Sequence, residues 1–416
     1  MANREMKYSG VEWIGDIPIH WKLVSVKHLF IIGRGRVIAK TELDDNGDYP
    51  VYSSQTKNNG VLGFIDTYDY DVSQLTWTTD GANAGTVFLR EGKYNCTNVC
   101  GTLLPKISNM SMKYMKYALE YIAIFHKRAD TNGFKIMNNE MAVIKTLLPL
   151  EKEQQKIAAF LDEKTSHIDN IIENTKKSIE NLKAYKQSLI TETVTKGLDS
   201  NVEMKDSGIE WIGEIPSHWD TVKMKRLGNI RNGLTYKPID IVDSEEGILV
   251  LRSGNIQNSQ LSFQDNVHVK KEINPDLIVS KGDILICSRN GSRKLIGKNA
   301  IIEDDLKATF GAFMMLFRPN ELPKYIYYIL NSEVFNFYLG TFLTSTINQL
   351  TKGNFENMKI VFCPDTDEQG KIVAFLDDKV DKLNSMIQDK ENLLNEFESY
   401  KKSLIYEYVT GKKEVK

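Results

Sequence analysis

The chain has 416 residues, and with 41% hydrophobic residues it can bury more than one core, so we expect several domains. A formal net charge of −2 excludes a protein coated in positive charge, although a local basic face would still suffice to bind a phosphate backbone. Because the four cysteines are scattered and no apolar run has signal-peptide or membrane-spanning length, we expect a cytoplasmic protein without a disulfide framework, a zinc site or a membrane segment.

Three segments of the first half return in the second half with few changes. The first pair is identical at ten of 13 positions and is offset by 198 residues, whereas the other two pairs share an offset of 215 residues. Each half therefore consists of a short motif, a variable globular stretch and a long fixed segment. The pairs are SGVEWIGDIPIHW (9–21) with SGIEWIGEIPSHW (207–219), EQQKIAAFLD (153–162) with EQGKIVAFLD (368–377), and YKQSLITETVT (185–195) with YKKSLIYEYVT (400–410).

The first globular stretch is predicted to mix strands and helices. Runs of apolar, β-branched and aromatic residues between turn-forming sequences predict strands, and one longer apolar run predicts a helix. The predicted strands are 75–79, 86–89, 99–104 and 142–149, and the predicted helix is 112–125.

Three loops of this stretch carry side chains suited to DNA. Arginine and lysine bind phosphate oxygens and guanine, and asparagine and glutamine can bind adenine. The alternative for each loop is an ordinary solvated turn, because the same residue types populate turns anyway. The candidates are Arg34, Arg36 and Lys40 in loop 32–40, Gln55, Lys57, Asn58 and Asn59 in loop 53–60, and Thr79 and Asn83 in loop 78–85.

The fixed segment of the first half is predicted to be one long helix. Residues 154–196 contain no Pro and no Gly, and apolar residues recur every seven positions, which is typical of a coiled coil. At about 1.5 Å per residue the helix is roughly 60 Å long. We expect Gly197 to form its C-terminal cap. The predicted pairing residues are Leu161, Ile168, Ile172, Ile179, Leu182 and Leu189.

The second globular stretch is predicted to share the fold of the first, although the two sequences have little in common. Its final strand lies 215 residues after the final strand of the first half. The predicted strands are 248–252, 283–288, 299–303, 313–318 and 357–364, and the predicted helix is 323–339.

CSRNGSRKLIGKNA (287–300) is the strongest candidate for a DNA-binding loop, because it groups basic and amide side chains around two glycines without any acid. LRSGNIQNSQ (251–260) is a second candidate. The residues are Arg289, Asn290, Ser292, Arg293, Lys294 and Lys298 in the first loop, and Arg252, Asn255 and Gln257 in the second.

The fixed segment of the second half repeats the heptad pattern over 371–410, and Gly411 is expected to cap it. The other long helix is the nearest candidate partner for its apolar stripe. The alternative is that each helix packs only on its own globular stretch. The predicted pairing residues are Leu376, Leu383, Ile387, Leu394, Phe397 and Leu404.

No catalytic motif emerges from the sequence. The chain has no Pro-Pro or Pro-Cys dipeptide of the kind that DNA methyltransferases need, and no GxGxxG loop. Two matches to a PD…DxK nuclease pattern, at 275–307 and 364–379, lack a suitable structural context. His20 and His218 recur without an acid or nucleophile pattern, which favours a structural role. We therefore expect no catalytic residue and no metal site in this chain.

The repeated motifs resemble those of the specificity subunits of type I restriction–modification systems, and the resemblance covers essentially the whole chain. Its most specific parts are SG[VI]EWIG[DE]IPxHW in both halves, the P-x(3)-EQ-x-KI-x-AFLD start of each long helix and the YK-x-SLI-x-E-x-VT end. Residues 282–302 are also similar to a known type of target-recognition domain. The main departure is Gly370, which stands where the other copy has Gln155, and we expect it to loosen the first turn of the second helix.

The resemblance implies an α+β fold with an internal pseudo-two-fold repeat. Two mixed α/β target-recognition domains would be separated by two long helices that pair as an antiparallel coiled coil. The implied limits are 1–150 and 201–365 for the two domains, 151–200 for the central helix and 366–416 for the C-terminal helix.

The resemblance also implies a non-catalytic subunit that reads a bipartite, asymmetric site on double-stranded DNA. Two modification subunits would bind S-adenosylmethionine and methylate adenine, and restriction subunits would use ATP and Mg to cut, so no cofactor is expected in this chain. Two alternatives stay open. One is an enzyme that acts on DNA alone, and the other is a stand-alone repressor or scaffold with a duplicated fold.

Overall fold

The structure, a computed structural model, describes residues 4–131, 133–343 and 348–415. The chain forms two compact units, the first made of Met1–Lys176 with Asn392–Lys416 and the second of Lys177–Glu391. Each unit includes parts of both long helices, and the sequence-based domain limits stay a prediction. In the part of the chain that the structure describes, no helix is long and apolar enough to cross a membrane.

The first unit contains two four-stranded sheets and three helices before the first long helix. Its strands are β1 (Met6–Tyr8), β2 (Asp16–Pro18), β3 (Lys22–Ser25), β4 (Phe30–Arg34), β5 (Tyr49–Tyr52), β6 (Val61–Ile65), β7 (Tyr70–Asp71), β8 (Gln74–Thr78), β9 (Asp80–Gly81), β10 (Val87–Arg90), β11 (Lys93–Cys96), β12 (Cys100–Pro105), β13 (Arg128–Asp130), β14 (Gly133–Lys135) and β15 (Lys145–Leu148). Its helices are α1 (Val26–Leu29), α2 (Met112–Ala123) and α3 (Asn138–Val143), followed by α4 (Glu151–Lys196).

The core of this unit lies between one sheet and helix α2. The sheet has the order β10-β8-β12-β4, and all five residues of β8 are buried, as expected of an interior strand rich in threonine and aromatic residues. Ser111 caps α2 by accepting a hydrogen bond from the Tyr114 N–H, and the apolar face of the helix packs over the sheet. The second sheet, β6-β5-β11-β7, has β5 and β11 parallel.

The second unit repeats this architecture. Its strands are β16 (Met204–Asp206), β17 (Glu214–Pro216), β18 (Asp220–Lys223), β19 (Gly228–Asn232), β20 (Ile241–Val242), β21 (Ile248–Leu251), β22 (Ile256–Gln257), β23 (Gln260–Leu261), β24 (His268–Val269), β25 (Ile284–Cys287), β26 (Asn299–Ile301), β27 (Ala308–Phe310), β28 (Met314–Pro319) and β29 (Lys359–Phe362). Its helices are α5 (Pro323–Leu330), α6 (Glu333–Phe342) and α7 (Lys352–Asn357), followed by α8 (Thr366–Val409).

The core sheets of the two units correspond strand by strand, and their second sheets share a parallel pair. β26-β25-β28-β19 matches β10-β8-β12-β4, and the second sheet again contains one parallel pair, β21 with β27, beside antiparallel neighbours. The prediction that the two globular stretches share one fold is therefore confirmed. Their sequences differ because many apolar sequences can fill the same core, provided that the polar and apolar pattern is kept.

The two long helices pair in antiparallel fashion, as predicted. In the first unit, Lys401 Nζ on α8 donates to Asp169 on α4 at 2.6 Å, and Leu404 lies in the same buried cluster as Leu161. In the second unit, Lys186 Nζ on α4 donates to Asn384 Oδ1 on α8 at 2.9 Å. These two polar pairs occupy equivalent positions of the internal repeat. The alternative in which each helix packs only on its own globular stretch is therefore wrong.

The predicted pairing residues are buried or half-buried. Leu182, Leu189, Leu394 and Phe397 are half-buried, and the buried members are Leu161, Ile168, Ile172, Ile179, Leu376, Leu383, Ile387 and Leu404. Helix α8 begins at Thr366 and is helical through Gly370. Gly197 and Gly411 follow the two helices with left-handed φ values of +74° and +72°, which are those of helix-capping glycines.

The predicted helix 323–339 is wrong as a single element. It is interrupted between α5 and α6, where Ser332 is fully buried and its hydroxyl donates to the Ile329 carbonyl at 2.7 Å. The Asn331 amide donates to Asn299 Oδ1 of β26 at 2.8 Å, and this bond holds the break against the sheet. The predicted strand 142–149 is also too long, because its first two residues belong to α3.

Candidate DNA interface

The repeated motif of each unit is joined to the start of a long helix by one glutamate. In the first unit, Glu153 Oε2 accepts a hydrogen bond from Trp21 Nε1 at 2.9 Å and lies 3.0 Å from His20 Nε2. Arg4 also donates to this carboxylate. Trp21 is fully buried, so the glutamate pairs an indole N–H that would otherwise have no acceptor.

The second unit contains the same contact. Glu368 Oε2 accepts from Trp219 Nε1 at 3.2 Å and lies 2.8 Å from His218 Nε2. Burial raises the pKa of this carboxyl group, but hydrogen bonds from His218, Cys363 and Trp219 outweigh burial and hold the pKa below its ordinary value. The recurring histidines thus have a place in the framework of both units, and we call this contact the joint.

The candidate loops of each unit meet at one edge of its sheets, which we call the loop end. In the first unit these loops follow β4, β5 and β8, and the turn between β11 and β12 lies beside them. In the second unit the loops after β19, β21 and β25 meet the turn between β27 and β28 in the same way. The fold therefore brings together side chains that are far apart in the sequence.

At the loop end of the first unit, two arginines already have protein partners. Arg36 is bound by Asp69 at 3.0 Å and by Glu42 at 2.9 Å, and the hydrogen bond to Glu42 raises its pKa. Arg34 donates to the carbonyl of Asn98 and lies 3.9 Å from Asp80. Both side chains are exposed, so a phosphate or a base edge would have to compete with these carboxylates.

The other candidates of the first unit divide into exposed and buried side chains. Lys57 and Asn83 are exposed, and Asn58 and Asn59 are exposed with left-handed φ values of 50° and 52°. Thr79 is completely buried, and its hydroxyl donates to Asp80 at 2.9 Å. The side chain of Thr79 is thus turned into the protein, and its assignment as a DNA-binding residue stays a prediction that this burial disfavours. Lys40 is exposed and Gln55 is half-buried.

The loop end of the second unit contains an open pocket of about 1040 Å³. Arg252, Arg289 and Asn290 all line it, so the structure brings the two candidate loops of this unit together. The side-chain amide of Asn290 donates to Ser253 Oγ at 3.0 Å, and its side-chain oxygen Oδ1 accepts from the Ser292 N–H at 3.0 Å. Asn290 therefore ties loop 251–260 to loop 287–300.

The cations around this pocket differ in their surroundings. Arg252 is paired with Asp265 at 2.9 Å. Arg289 is exposed, and its guanidinium carbon lies 5.5 Å from the ring centre of Phe313. Ser292, Arg293 and Lys294 are exposed on the same loop. A side-by-side arrangement of an aromatic ring and an unblocked guanidinium suits recognition of a base edge.

Comparison with known proteins identifies the family of this chain. The family model described as the type I restriction modification DNA specificity domain matches residues 18–183 and 216–396. The chain belongs to this family. The two matched ranges cover most of the chain and repeat the duplication seen in the sequence and in the fold.

Individual relatives agree with this assignment. The chain is 42% identical over 142 residues to a Mycoplasma pneumoniae protein named for the N-terminus of a type I specificity subunit, and the match covers 34% of this chain and 76% of that protein. It is 28% identical over 356 residues to the specificity subunit of the type I restriction enzyme MjaVIII from Methanocaldococcus jannaschii, covering 79% of each chain. A solved structure from work on complex assembly and conformational transition of the type I R-M system has a TM-score of 0.68 at 14% identity, covering 94% of this chain and 98% of the other, and therefore shows the same fold.

Two further candidates of the specificity domain in the second unit are engaged inside the protein. Asn255 is completely buried, where its side chain accepts from the Arg252 N–H at 2.9 Å and donates to the Ser262 carbonyl at 2.9 Å. Its assignment as a DNA-binding residue stays a prediction that this burial disfavours. Lys298 is half-buried, its ammonium donates to the Ile256 carbonyl at 2.9 Å, and burial lowers its pKa. Gln257 is exposed.

The sequence missed two aromatic residues of the pocket, Tyr236 and Phe313. Phe313 was assigned to a strand, but β28 begins one residue later, so its ring stands 59% exposed in the turn before the strand. A signal existed in Gly311, because a glycine just before a predicted strand often marks a turn.

The carboxylates of the two PD…DxK matches lie in different surroundings in the structure. Asp276 lies 3.8 Å from Arg231, and Asp377 on α8 is bound by Lys324 at 3.0 Å and by the Tyr328 hydroxyl at 2.6 Å. Among residues 4–131, 133–343 and 348–415, no three His, Cys, Asp or Glu side chains are grouped as metal ligands. One carboxylate of each match, Asp276 and Asp377, is thus close to a basic side chain.

Proposed function

We propose that this chain is the DNA sequence-specificity subunit of a type I restriction–modification complex. Each unit would read one half of a bipartite, asymmetric site, and the chain would direct the partner methyltransferase and restriction subunits to that site. The observation that carries the proposal is the duplication, because the same joint and the same sheets support two different sets of loops. The two units have the same framework but different loops. This combination suits a protein that reads two different DNA sequences in the same geometry.

Differences between the loop ends support an asymmetric site. The first unit offers Arg36 held between two carboxylates, whereas the second offers Arg289 beside Phe313. Base recognition in the major groove depends on the donors and acceptors that such side chains present. The two half-sites would therefore differ in sequence.

The framework supports a proposal about the partners. Each joint combines a repeated motif with the start of a long helix, and two such joints provide two equivalent docking surfaces. Two modification subunits would bind there, and they would supply S-adenosylmethionine and the adenine methylation chemistry. Restriction subunits would supply ATP-dependent cleavage with Mg. This chain would contribute binding and no catalytic group.

Methylation mapping of the host genome by long-read sequencing tests the proposal. We expect one motif with methylated adenine in two half-sites that are separated by a fixed gap. Exchange of residues 220–365 for the corresponding domain of another family member should change one half-site and leave the other unchanged. Exchange of residues 22–148 is the matched control and should change only the other half-site.

Several results would contradict the proposal. Change of both half-sites, or of neither, in the 220–365 exchange would refute a division of labour between the units. Methylation or cleavage by the purified chain alone would indicate an enzyme acting by itself. Full activity in the cell after deletion of the modification subunits would favour a stand-alone repressor or scaffold.

A further inference from the structure

Phe313 is an exposed aromatic residue on a fixed piece of backbone. Its carbonyl oxygen accepts hydrogen bonds from the Ser288 N–H at 3.0 Å, the Ser288 hydroxyl at 3.0 Å and the Arg289 N–H at 3.1 Å. The Met314 N–H closes the turn by donating to the Gly311 carbonyl at 2.8 Å. The ring is 59% exposed, so a large apolar group is held in water by a turn that is tied to the central sheet.

Arg289 is held next to this ring. Its guanidinium carbon lies 5.5 Å from the ring centre, which is within the range of a cation–π contact, and its backbone is bridged to Gln349. Among the residues that the structure describes, no carboxylate forms a salt bridge with Arg289, in contrast to Arg252 and its partner Asp265. A cation–π contact does not use the N–H groups of a guanidinium as hydrogen-bond donors, so a base edge can still accept from them.

This pair matches the chemistry of two neighbouring base pairs. An arginine fork binds O6 and N7 of guanine in the major groove, and an apolar side chain such as phenylalanine contacts the C5-methyl group of thymine. Successive base pairs are about 3.4 Å apart along the axis. A ring beside a guanidinium that binds one base pair is therefore positioned to touch the next one.

We propose that Phe313 is a specificity-determining residue that reads the C5-methyl group of a thymine adjacent to the guanine bound by Arg289. The half-site read by the second unit then contains a T·A pair next to a G·C pair. This inference rests on the proposed function and deepens it by naming the base step. It also gives an apolar residue the contact with a methyl group, which the charged residues of the loop cannot supply.

Replacement of thymine by deoxyuridine tests this inference, because it removes the methyl group and leaves base pairing intact. The full chain with its modification subunits is titrated with duplexes that carry the mapped site, each with one thymine of the second unit's half-site replaced. We expect about fourfold weaker binding at one position, next to a G·C pair, which corresponds to the burial of one methyl group. Other replacements should leave the affinity unchanged.

Variants connect the effect to the residue. Phe313→Ala should bind the thymine and deoxyuridine duplexes equally well. Phe263→Ala is the matched control, because Phe263 is also exposed in the second unit, at 48%, but lines a different pocket, and it should keep the discrimination. The deoxyuridine series on the unaltered protein needs no variant and stands even if a variant fails to fold.

Three results would overturn the inference. They are a half-site without a T·A pair next to a G·C pair, equal binding of every deoxyuridine duplex by the unaltered protein, and discrimination that persists in Phe313→Ala. Each differs from failure of the proposed function, in which the unaltered complex would show no preference for any bipartite site.

Discussion

Arg289 and Lys294 lie on one loop but present different chemistry to DNA. Arg289 stands beside an aromatic ring at the mouth of the pocket, whereas Lys294 is an exposed point charge further along the loop. A fork held in place can select a base, whereas a mobile ammonium mainly neutralises phosphate. The loop therefore combines two functions that can be separated by substitution.

We predict that Arg289→Ala weakens binding to the specific site by about 1–3 kcal/mol and relaxes the choice at one base pair. Lys294→Ala should weaken binding to all sequences alike and reduce the salt dependence of the affinity. Titration of site-bearing and random duplexes at several salt concentrations separates the two effects. Unchanged affinity in both variants would show that this loop does not face DNA.

Asn255 leads to the opposite prediction. Its buried side chain satisfies two backbone groups, so Asn255→Ala should lower the free energy of unfolding by about 1–3 kcal/mol. The preferred DNA site should stay the same. Urea unfolding measures the first effect and methylation mapping the second, with the exposed neighbour Gln257→Ala as the control for stability. A changed half-site in Asn255→Ala would show that Asn255 takes part in DNA recognition.

Sequence reasoning located polar loops that meet at one edge of the sheets, but it could not tell which of their side chains are exposed. Thr79 and Asn255 belong to the same polar turns as Asn83 and Gln257, yet the first two point inward because backbone groups or a carboxylate there need partners. The residue types of a polar turn are the same whether a given side chain points into the protein or into solvent. Phe313 was missed for the reverse reason, because an apolar residue beside a strand is usually part of it.

Among the elements, the joint between the repeated motif and the long helix depends most on one residue. Glu368 is hydrogen-bonded by His218, Trp219 and Cys363 at the start of α8. We predict that Glu368→Gln lowers the free energy of unfolding of the second unit by about 1–3 kcal/mol, because a buried indole and an imidazole lose a charged acceptor. Asp389→Asn, an exposed carboxylate on the same helix, is the control and should have little effect.

The effect of Glu368→Gln should depend on pH. The folded-state pKa of Glu368 is lowered, so its contribution to stability is complete above the ordinary pKa of a glutamate and is lost as the pH falls through the lowered value. The difference in unfolding free energy between the unaltered protein and the variant should therefore shrink in acid. A difference that is constant from neutral to acidic pH would contradict this account of the joint.

Helices and strands were predictable to different degrees. The long helices follow from a heptad pattern sustained without Pro or Gly, which identifies a long helix, whereas its packing partner had an alternative. The break at Ser332 was not predictable, because the segment 323–339 has helical spacing throughout. Hydrogen bonds with residues distant in sequence, Asn299 and Ser259 among them, fix Asn331 outside the helix. Strands of two or three residues, such as β7 and β20, exist only through pairing with distant strands.

At the scale of the whole molecule, the paired helices are expected to set the distance between the half-sites. The two units divide α4 after Lys176 and α8 after Glu391, which are equivalent positions of the repeat. Four residues inserted in both helices at these points add about 6 Å and about 40° of rotation. One base pair adds roughly 3.4 Å, so we predict the same half-sites with a gap longer by one or two base pairs.

Methylation mapping measures the gap directly. The same four residues inserted into the exposed turn at 198–200 serve as the control and should leave the gap unchanged. A gap that stays constant after insertion in both helices would mean that something other than the helices determines the spacing.

At this scale, the duplication was visible in the sequence, and it predicted that the two units would be alike.

The end of each long helix also packs against a repeated motif, but the chain connects these two parts differently in the two units. In the second unit, Gly197 packs against Trp219, and only a short tether separates them. In the first unit, Gly411 packs against Pro18 and Trp21, and Lys412 donates to the Asp16 carbonyl at 2.6 Å, so the parts are tethered only through the rest of the chain. We therefore expect the helix-end contact of the second unit, once opened, to reclose at a higher effective concentration than that of the first unit. Fraying is then expected to begin at the end of α8 in the first unit.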